Sequence, residues 1–322
     1  MNPGSIKRVF CGFSTYQDHR VEATSGGVGS EIVLYLLKHK LANSALSFSW
    51  NPQTLQYDPV LVDKESDYKF VGSIYHEVPL LKFIRSNRDK IKSPFVCFAL
   101  PCQGKGIKKL LEEVGIQSYI IQLTCSSQQS FEATMYLFKR LGVDKSDVKH
   151  IQYRGNGWPS GIQIKKSDNT NLFISNSNSI WMDIFHSRLF IQRRCHRCNP
   201  NLNSEADIVL ADPWRIDIPS ETNNKGRTLC AVLTDRMEQL IKDMEQKNII
   251  HTEDKSVDEF LYSQIATIRL KKSLLRRNPL TNMYENLLTS RRYRTWITAN
   301  PLLFKLHCTL NNIFKRIITR IL

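Results

Sequence analysis

Two apolar runs of matching design limit this chain more than any other feature. Residues 94–100 (PFVCFAL) run into Pro101-Cys102-Gln103-Gly104, and residues 117–123 (QSYIIQL) run into Thr124-Cys125-Ser126-Ser127. Continuous apolar runs of this length, closed by turn residues, read as strands buried on both faces. Helical spacing follows each, from about Ile107 to Val114 and from about Phe131 to Leu141. Strand, helix, strand, helix with short connections gives right-handed βαβ units around a parallel sheet. The spacing therefore predicts an α/β fold with a mostly parallel sheet and flanking helices.

Other segments fit around that frame. Residues 8–14, 45–50, 57–62, 207–211 and 228–233 read as strands, and residues 71–76 as a short strand or loop. Residues 80–90, 181–190, 237–247 and 257–268 have helical spacing, the last closing the body. Residues 151–175 alternate between polar and apolar and carry turn clusters, so a small antiparallel sheet is expected there. Three parts result. Residues 1–148 are an α/β part holding a Gly-rich loop and strand-end cysteines. Residues 149–268 are an α+β part holding a C-x-x-C loop. Residues 269–322 are a basic helical tail.

The cysteines carry the chemistry. Eight among 322 residues are too few for a disulfide scaffold. The N-terminus has no apolar signal core, and no run of 18 apolar residues suggests a span. A cytoplasmic chain with reduced thiols is expected, which points to metal or redox chemistry. Cys102 and Cys125 each stand just past the C-terminal end of a strand, the edge where open α/β sheets bind ligands. Cys195 and Cys198 form the C-x-x-C pair, flanked by Arg193, Arg194 and Arg197. Together they make four thiolates, a set that suits an iron–sulfur cluster or structural zinc. A thioredoxin-like dithiol is a third reading, opposed by Asn199-Pro200, which disfavours a helix after Cys198. Cys11, Cys97 and Cys230 lie inside apolar runs and Cys308 in a helical pattern, so these four read as small hydrophobes.

A second candidate site is the loop Ser25-Gly26-Gly27-Val28-Gly29-Ser30, which feeds a helix with apolar residues at 32, 33, 36, 37 and 41. Free backbone N–H groups at such a helix start bind anions, so the loop reads as a phosphate cradle or as a plain tight turn. It matches neither the Walker motif nor the dinucleotide fingerprint.

The tail is a separate electrostatic object in the sequence. Residues 271–322 hold eleven Lys or Arg against one acid, Glu285, so +10 of the chain's +15 lies there. Residues 302–322 place apolar side chains at 303, 306, 310, 313, 314, 317, 318 and 321, with Lys305, Lys315, Arg316 and Arg320 between them. That is a helix docked on the body, or one lying on an anionic membrane surface. No nucleic-acid motif is present, and no nucleic-acid partner is expected.

The ordered set Ser25-Gly26-Gly27-Val28, Gly72-Ser73 with Tyr75, Pro101-Cys102-Gln103, Cys125, Gly157-Trp158, Cys195-x-x-Cys198 and Ala206-Asp207-Ile208 before Asp212-x-Trp214 resembles the beta subunits of coenzyme F-420 (deazaflavin) hydrogenases and dehydrogenases. The likeness runs from about Ala23 to Thr234. It implies FAD and a [4Fe–4S] cluster on Cys102, Cys125, Cys195 and Cys198, serving an oxidoreductase that acts on a small-molecule substrate. Residues 25–30 would then hold the FAD pyrophosphate, with Ser25, Gly26, Gly27, Gly29 and Ser30 in that role. Gln103 and Asp212 would also touch the cofactor, and Trp158 and Trp214 would wall the flavin ring. Arg193, Arg194 and Arg197 would raise the cluster's potential and attract an acidic donor. The resemblance points to a branch associated with exported polysaccharides, and it names no catalytic residue. Relatives carry an N-terminal ferredoxin-like segment with repeated C-x-x-C motifs that has no counterpart here. Electrons are therefore expected from an external donor, a ferredoxin-like protein or a reduced carrier. Ala211 also stands where the family has glycine before the aspartate.

Overall fold

A computed structural model describes residues 6–199, 205–216 and 225–321. The chain opens with β1 (Arg8–Ser14), α1 (Gln17–Glu22) and α2 (Val28–Lys38), then a hairpin of β2 (Ser44–Asn51) and β3 (Gln56–Val62). The two expected units follow as α3 (Leu80–Asn87), β4 (Phe95–Ala99), α4 (Pro101–Glu112), β5 (Ser118–Leu123) and α5 (Phe131–Leu141). The small antiparallel sheet is β6 (Val148–Gln152), β7 (Gly161–Lys166) and β8 (Asn171–Ser175), followed by α6 (Ile180–Ser187). After the cysteine loop come β9 (Ile208–Ala211), β10 (Thr228–Val232), α7 (Asp235–Gln246) and β11 (Ile250–Lys255). Five helices end the chain: α8 (Val257–Ser263), α9 (Ile265–Leu275), α10 (Pro279–Thr289), α11 (Arg291–Ala299) and α12 (Pro301–Ile321).

The large sheet has the order β11-β1-β10-β9-β5-β4-β2-β3. β2, β4, β5 and β9 pair in parallel. Antiparallel pairing through β10 turns β1 to the same direction, so the sheet is mostly parallel, with β3, β10 and β11 opposed. One face packs α2 and α7 over Phe10, Val96, Ile121, Ile208 and Cys230. The other packs α3 and α4 over Phe95, Cys97 and Ile120, and α8 through Phe260 over Val209 and Leu229. β4 thus buries both faces, the physical reason for its unbroken apolar run. A second core joins α5, the small sheet, α6 and the last helices around Trp181, Tyr153 and Phe304.

Three elements differ from the expected pattern. α4 begins six residues early. Pro101 is its first residue, a place where a missing N–H costs nothing, and Gln103 Oε1 accepts the Leu100 N–H at 3.0 Å. Cys102 therefore sits in a helix's first turn rather than in a loop. The expected helix over residues 257–268 is two helices broken at Gln264. β11 (IHTEDK) has no apolar alternation to reveal it; it is a charged edge strand on β1, with Arg8 Nε donating to Asp254 at 2.7 Å.

The tail helix divides its apolar residues between two stripes. Phe304, His307, Cys308, Asn311 and Ile318 are buried, and α12 packs on α6, α9 and α11. Leu302, Leu306, Leu310, Ile313 and Ile317 form a second, exposed stripe. The side chain at position 321 and the expected helix-breaking Pro200 lie outside the described residues.

Candidate cofactor site

Asp212, just past β9, gathers segments that are far apart in sequence. Its carboxylate accepts from Ser25 Oγ at 3.0 Å, from Arg154 Nη1 at 2.7 Å and Nη2 at 3.2 Å, and from Trp158 Nε1 at 3.3 Å. Its carbonyl accepts from Ser263 Oγ and Gln264 Nε2, both at 3.0 Å, which ties the α8–α9 junction to the same point. Arg154 also donates to Thr24 O at 3.0 Å, and Thr24 meets Ser73 at 3.2 Å. Burial works against the Arg154 charge, but the Asp212 carboxylate and the Tyr75 hydroxyl outweigh it and raise its pKa. The backbone is as closely fitted as the side chains. Gly72 has φ +67° and lies where a Cβ would stand 1.9 Å from Arg154 O. Trp158 and Trp214 pack with ring centroids 5.4 Å apart and planes 33° apart, Trp214 keeping 43% of its surface exposed.

The Gly-rich loop sits beside this hub. Gly27 is the N-cap of α2 at φ +84°, a conformation that costs glycine little, and no side chain caps the helix. Gly26 N–H donates to Thr228 Oγ1 at 2.9 Å, while Ser25 Oγ is taken by Asp212 and by Arg227 O. The anion-binding capacity of the loop therefore rests on the first-turn N–H groups of α2, not on Ser25's hydroxyl. Gln103 is buried, with its Oε1 in the α4 cap.

Cys102, Cys125, Cys195 and Cys198 come together from α4, the end of β5 and the 3-10 turn Arg193–Arg197. The fields of Cys195 and Cys198 reach both Cys102 and Cys125, and Cys102 bears on Cys125. Lys271 Nζ links two of them, donating to Cys125 O at 2.6 Å and to Cys198 Sγ at 3.4 Å. Gln128 N–H points to Cys195 Sγ at 3.5 Å. Burial pushes the Cys125 thiol up to about 12, against the pull of Lys271. It also raises Cys102, against the pull of Arg194. Cys11, Cys97, Cys230 and Cys308 are buried in the hydrophobic cores.

The surroundings carry more positive donors than the protein's own acceptors use. Arg188 is 5% exposed, and its Nε and Nη2 have no partner. Burial lowers its pKa, opposed by Tyr284, Cys195 and Cys198. His196 Nδ1 is also buried without a partner, and burial followed by the Arg188 charge lowers that ring to about 3. Gln122, buried on β5 three residues before Cys125, leaves both amide atoms unpaired. Four thiolates around a cluster carry net negative charge and accept hydrogen bonds, so this donor set fits such a group. Among the described residues no three His, Cys, Asp or Glu side chains are grouped to hold a single metal ion.

Of the three arginines expected from sequence, Arg194 bears on Cys102, while Lys271 and Arg188 stand by the other thiols. Arg193, Arg194 and Arg197 are exposed; Arg197 pairs with Glu285 at 2.7 Å, and Arg194 alone of the three bears on Cys102. Lys271, counted in sequence with a separate basic tail, is 5% exposed and belongs to the cysteine nest. Arg154, Arg188 and Lys271 have no sequence signal of their own, since their role comes from burial: Arg154 against Asp212, Lys271 against Cys125 O and Cys198 Sγ, and Arg188 near Cys195 and Cys198.

The family profile for the C terminus of the coenzyme F420 hydrogenase/dehydrogenase beta subunit matches residues 94–258. No curated protein matches the chain. Among solved structures, a chain of the F420-reducing [NiFe] hydrogenase complex from Methanosarcina barkeri, in a xenon derivative, superposes with a TM-score of 0.62 at 14% identity. The match covers 89% of this chain and 94% of that one, and at this identity it shows a shared fold. With the matched segment spanning β4 to α8, the chain belongs to the family of coenzyme F420 hydrogenase/dehydrogenase beta subunits.

Proposed function

We propose that the chain is a flavin- and iron–sulfur-dependent oxidoreductase, linking an external electron donor to a small-molecule acceptor. Cys102, Cys125, Cys195 and Cys198 would hold a [4Fe–4S] cluster. The first-turn N–H groups of α2 would hold the phosphates of FAD, with Trp158, Asp212 and Trp214 at its ring. When bound, a cluster supplies single electrons and a flavin couples them to hydride chemistry. The observation that carries the reading is the Arg188 guanidinium, buried within the field of Cys195 and Cys198 with two donors unspent. Arg188 and Lys271 balance the charge there and exclude water. Asp212 fixes the positions of Arg154 and Trp158. Anaerobic purification and an absorption spectrum provide the test. Flavin bands above a broad iron–sulfur shoulder are the expected result. A colourless protein that retains zinc overturns the reading in favour of a non-catalytic relative.

The acceptor, on the resemblance alone, belongs to surface-polysaccharide synthesis, where lipid-linked sugars lie at a membrane. The exposed stripe of α12 supports a place at such a surface. Leu302, Leu306, Leu310, Ile313 and Ile317 face outward with Lys305, Arg316 and Arg320 exposed among them. No helix among the described residues is long and apolar enough to cross a membrane. Each basic residue adds about 1 kcal/mol at an anionic surface, falling off over a Debye length of about 8 Å. The chain is expected to co-sediment with anionic vesicles, less at high salt, and Leu306→Gln with Leu310→Gln to release it. Equal sedimentation of the two proteins would count against the stripe.

A further inference from the structure

A corner of the same sheet edge holds two arginines that nothing above employs. Arg20 on α1 is 5% exposed, and its guanidinium carbon stands 3.6 Å from the centre of the Phe13 ring. Arg227, just before β10, approaches the same ring at 5.5 Å. Two like charges share one aromatic ring, and burial, then the charge of Arg227, lowers the Arg20 pKa to about 10.

Charge balance at this corner is incomplete. Two carboxylates stand here: Glu253, which accepts from Arg227 Nη1 at 2.9 Å and also from Lys255, and buried Glu31 in the first turn of α2, which pairs with His19 Nδ1 at 2.6 Å. Among the described residues Arg20 has no acidic partner; its Nε donates to Gly226 O at 2.9 Å, and its Nη2 is buried without a partner. Arg227 Nε is unpartnered as well. Two buried guanidinium groups with open donors cost stability unless an anion completes them.

Both arginines border the Gly-rich loop. Ser25 Oγ donates to Arg227 O at 2.8 Å. Gly226, which receives the Arg20 hydrogen bond, packs so closely that a Cβ there would stand 2.2 Å from Ser25 O. The uncapped start of α2 is therefore adjacent. Helix N–H groups give an anion its direction, and paired guanidinium groups give it charge and forked hydrogen bonds.

We infer that Arg20 and Arg227, with the first-turn N–H groups of α2, form a binding site for a diphosphate group. The ligand it takes is the pyrophosphate of the dinucleotide proposed above, and that identification rests on the flavin reading.

Titration of the flavin-free full chain with inorganic pyrophosphate, FAD and riboflavin, followed by calorimetry, tests this. Pyrophosphate and FAD are expected to bind wild type, and Arg20→Gln and Arg227→Gln each to weaken both by about tenfold or more. Riboflavin, which has no phosphate, is expected to bind all three proteins alike. Arg20→Lys keeps the charge without the fork; it serves where the glutamine variant does not fold, and an intermediate loss is expected. Absence of pyrophosphate binding by wild type, or unchanged binding by the variants, overturns the inference. Pyrophosphate binding that depends on Arg20, in a protein that binds neither FAD nor riboflavin, sustains this site and removes the flavin reading instead.

Discussion

Serine at Cys102, Cys125, Cys195 or Cys198 is expected to strip most of the iron from the purified chain, and serine at Cys97 to leave it in place. The first four thiols act on one another across the ends of β4 and β5 and the cysteine turn. On the proposed reading each would be one of four anionic anchors, and binding to such a set would itself be folding energy for the loop that bears Cys195 and Cys198. Loss of one anchor also leaves Arg188 and Lys271 facing fewer negative charges. Cys97 lies elsewhere: it is 0% exposed, on the α4 face of β4, and burial holds its thiol up at about 12. A hydroxyl there costs about 1–3 kcal/mol through an unsatisfied buried group, which lowers the thermal midpoint without touching iron. Iron per chain, with the midpoint measured alongside, separates the two effects. Equal iron loss from Cys97→Ser and Cys102→Ser would break the assignment.

The parallel strands were legible because burial on both faces writes itself into sequence as unbroken apolar runs. β4 is such a run and β5 has an apolar centre at Tyr119–Ile121, and they locate Cys102 and Cys125 at the C-terminal edge of the parallel strands. β11 was not legible, since an edge strand that guards itself with Glu253 and Asp254 looks like a polar loop. The start of α4 was hidden by Gly104 and Gly106, which suggest a loop until Pro101 and Gln103 are seen to cap the helix. Charge misled in a similar way. Sequence proximity pointed to Arg193, Arg194 and Arg197 as the cluster's cations, but side chains beside a turn are free to face water. Arg188 and Lys271 reach the thiols because α6 and α9 are held against the body, and packing of that kind has no local pattern. Tail residues 303–318 read as one apolar face because their spacing does not distinguish a stripe that docks from one that stays bare.

Replacement of Asp212 by alanine is expected to cost about 3–5 kcal/mol of stability, the usual penalty for stripping one partner from a buried ion pair. Arg154 cannot escape to water. Its side chain is 7% exposed, and its backbone is pressed against Gly72. With the carboxylate gone, the guanidinium keeps only Thr24 O and the Tyr75 hydroxyl, and Ser25 Oγ and Trp158 Nε1 lose an acceptor together. Asparagine keeps an acceptor oxygen but not the charge, so its cost should be smaller. The pair's own worth is a separate quantity. If the penalty comes mainly from the stranded charge, Arg154→Met combined with Asp212→Leu should recover part of the loss, since the cycle removes both charges at once. Urea midpoints of the four proteins, read with tryptophan fluorescence because Trp158 and Trp214 report on this point directly, measure both quantities. A loss below about 1 kcal/mol for Asp212→Ala, the range of an exposed ion pair, would mean that Arg154 finds solvent or another acceptor. Asp212 would then be no hub of the site.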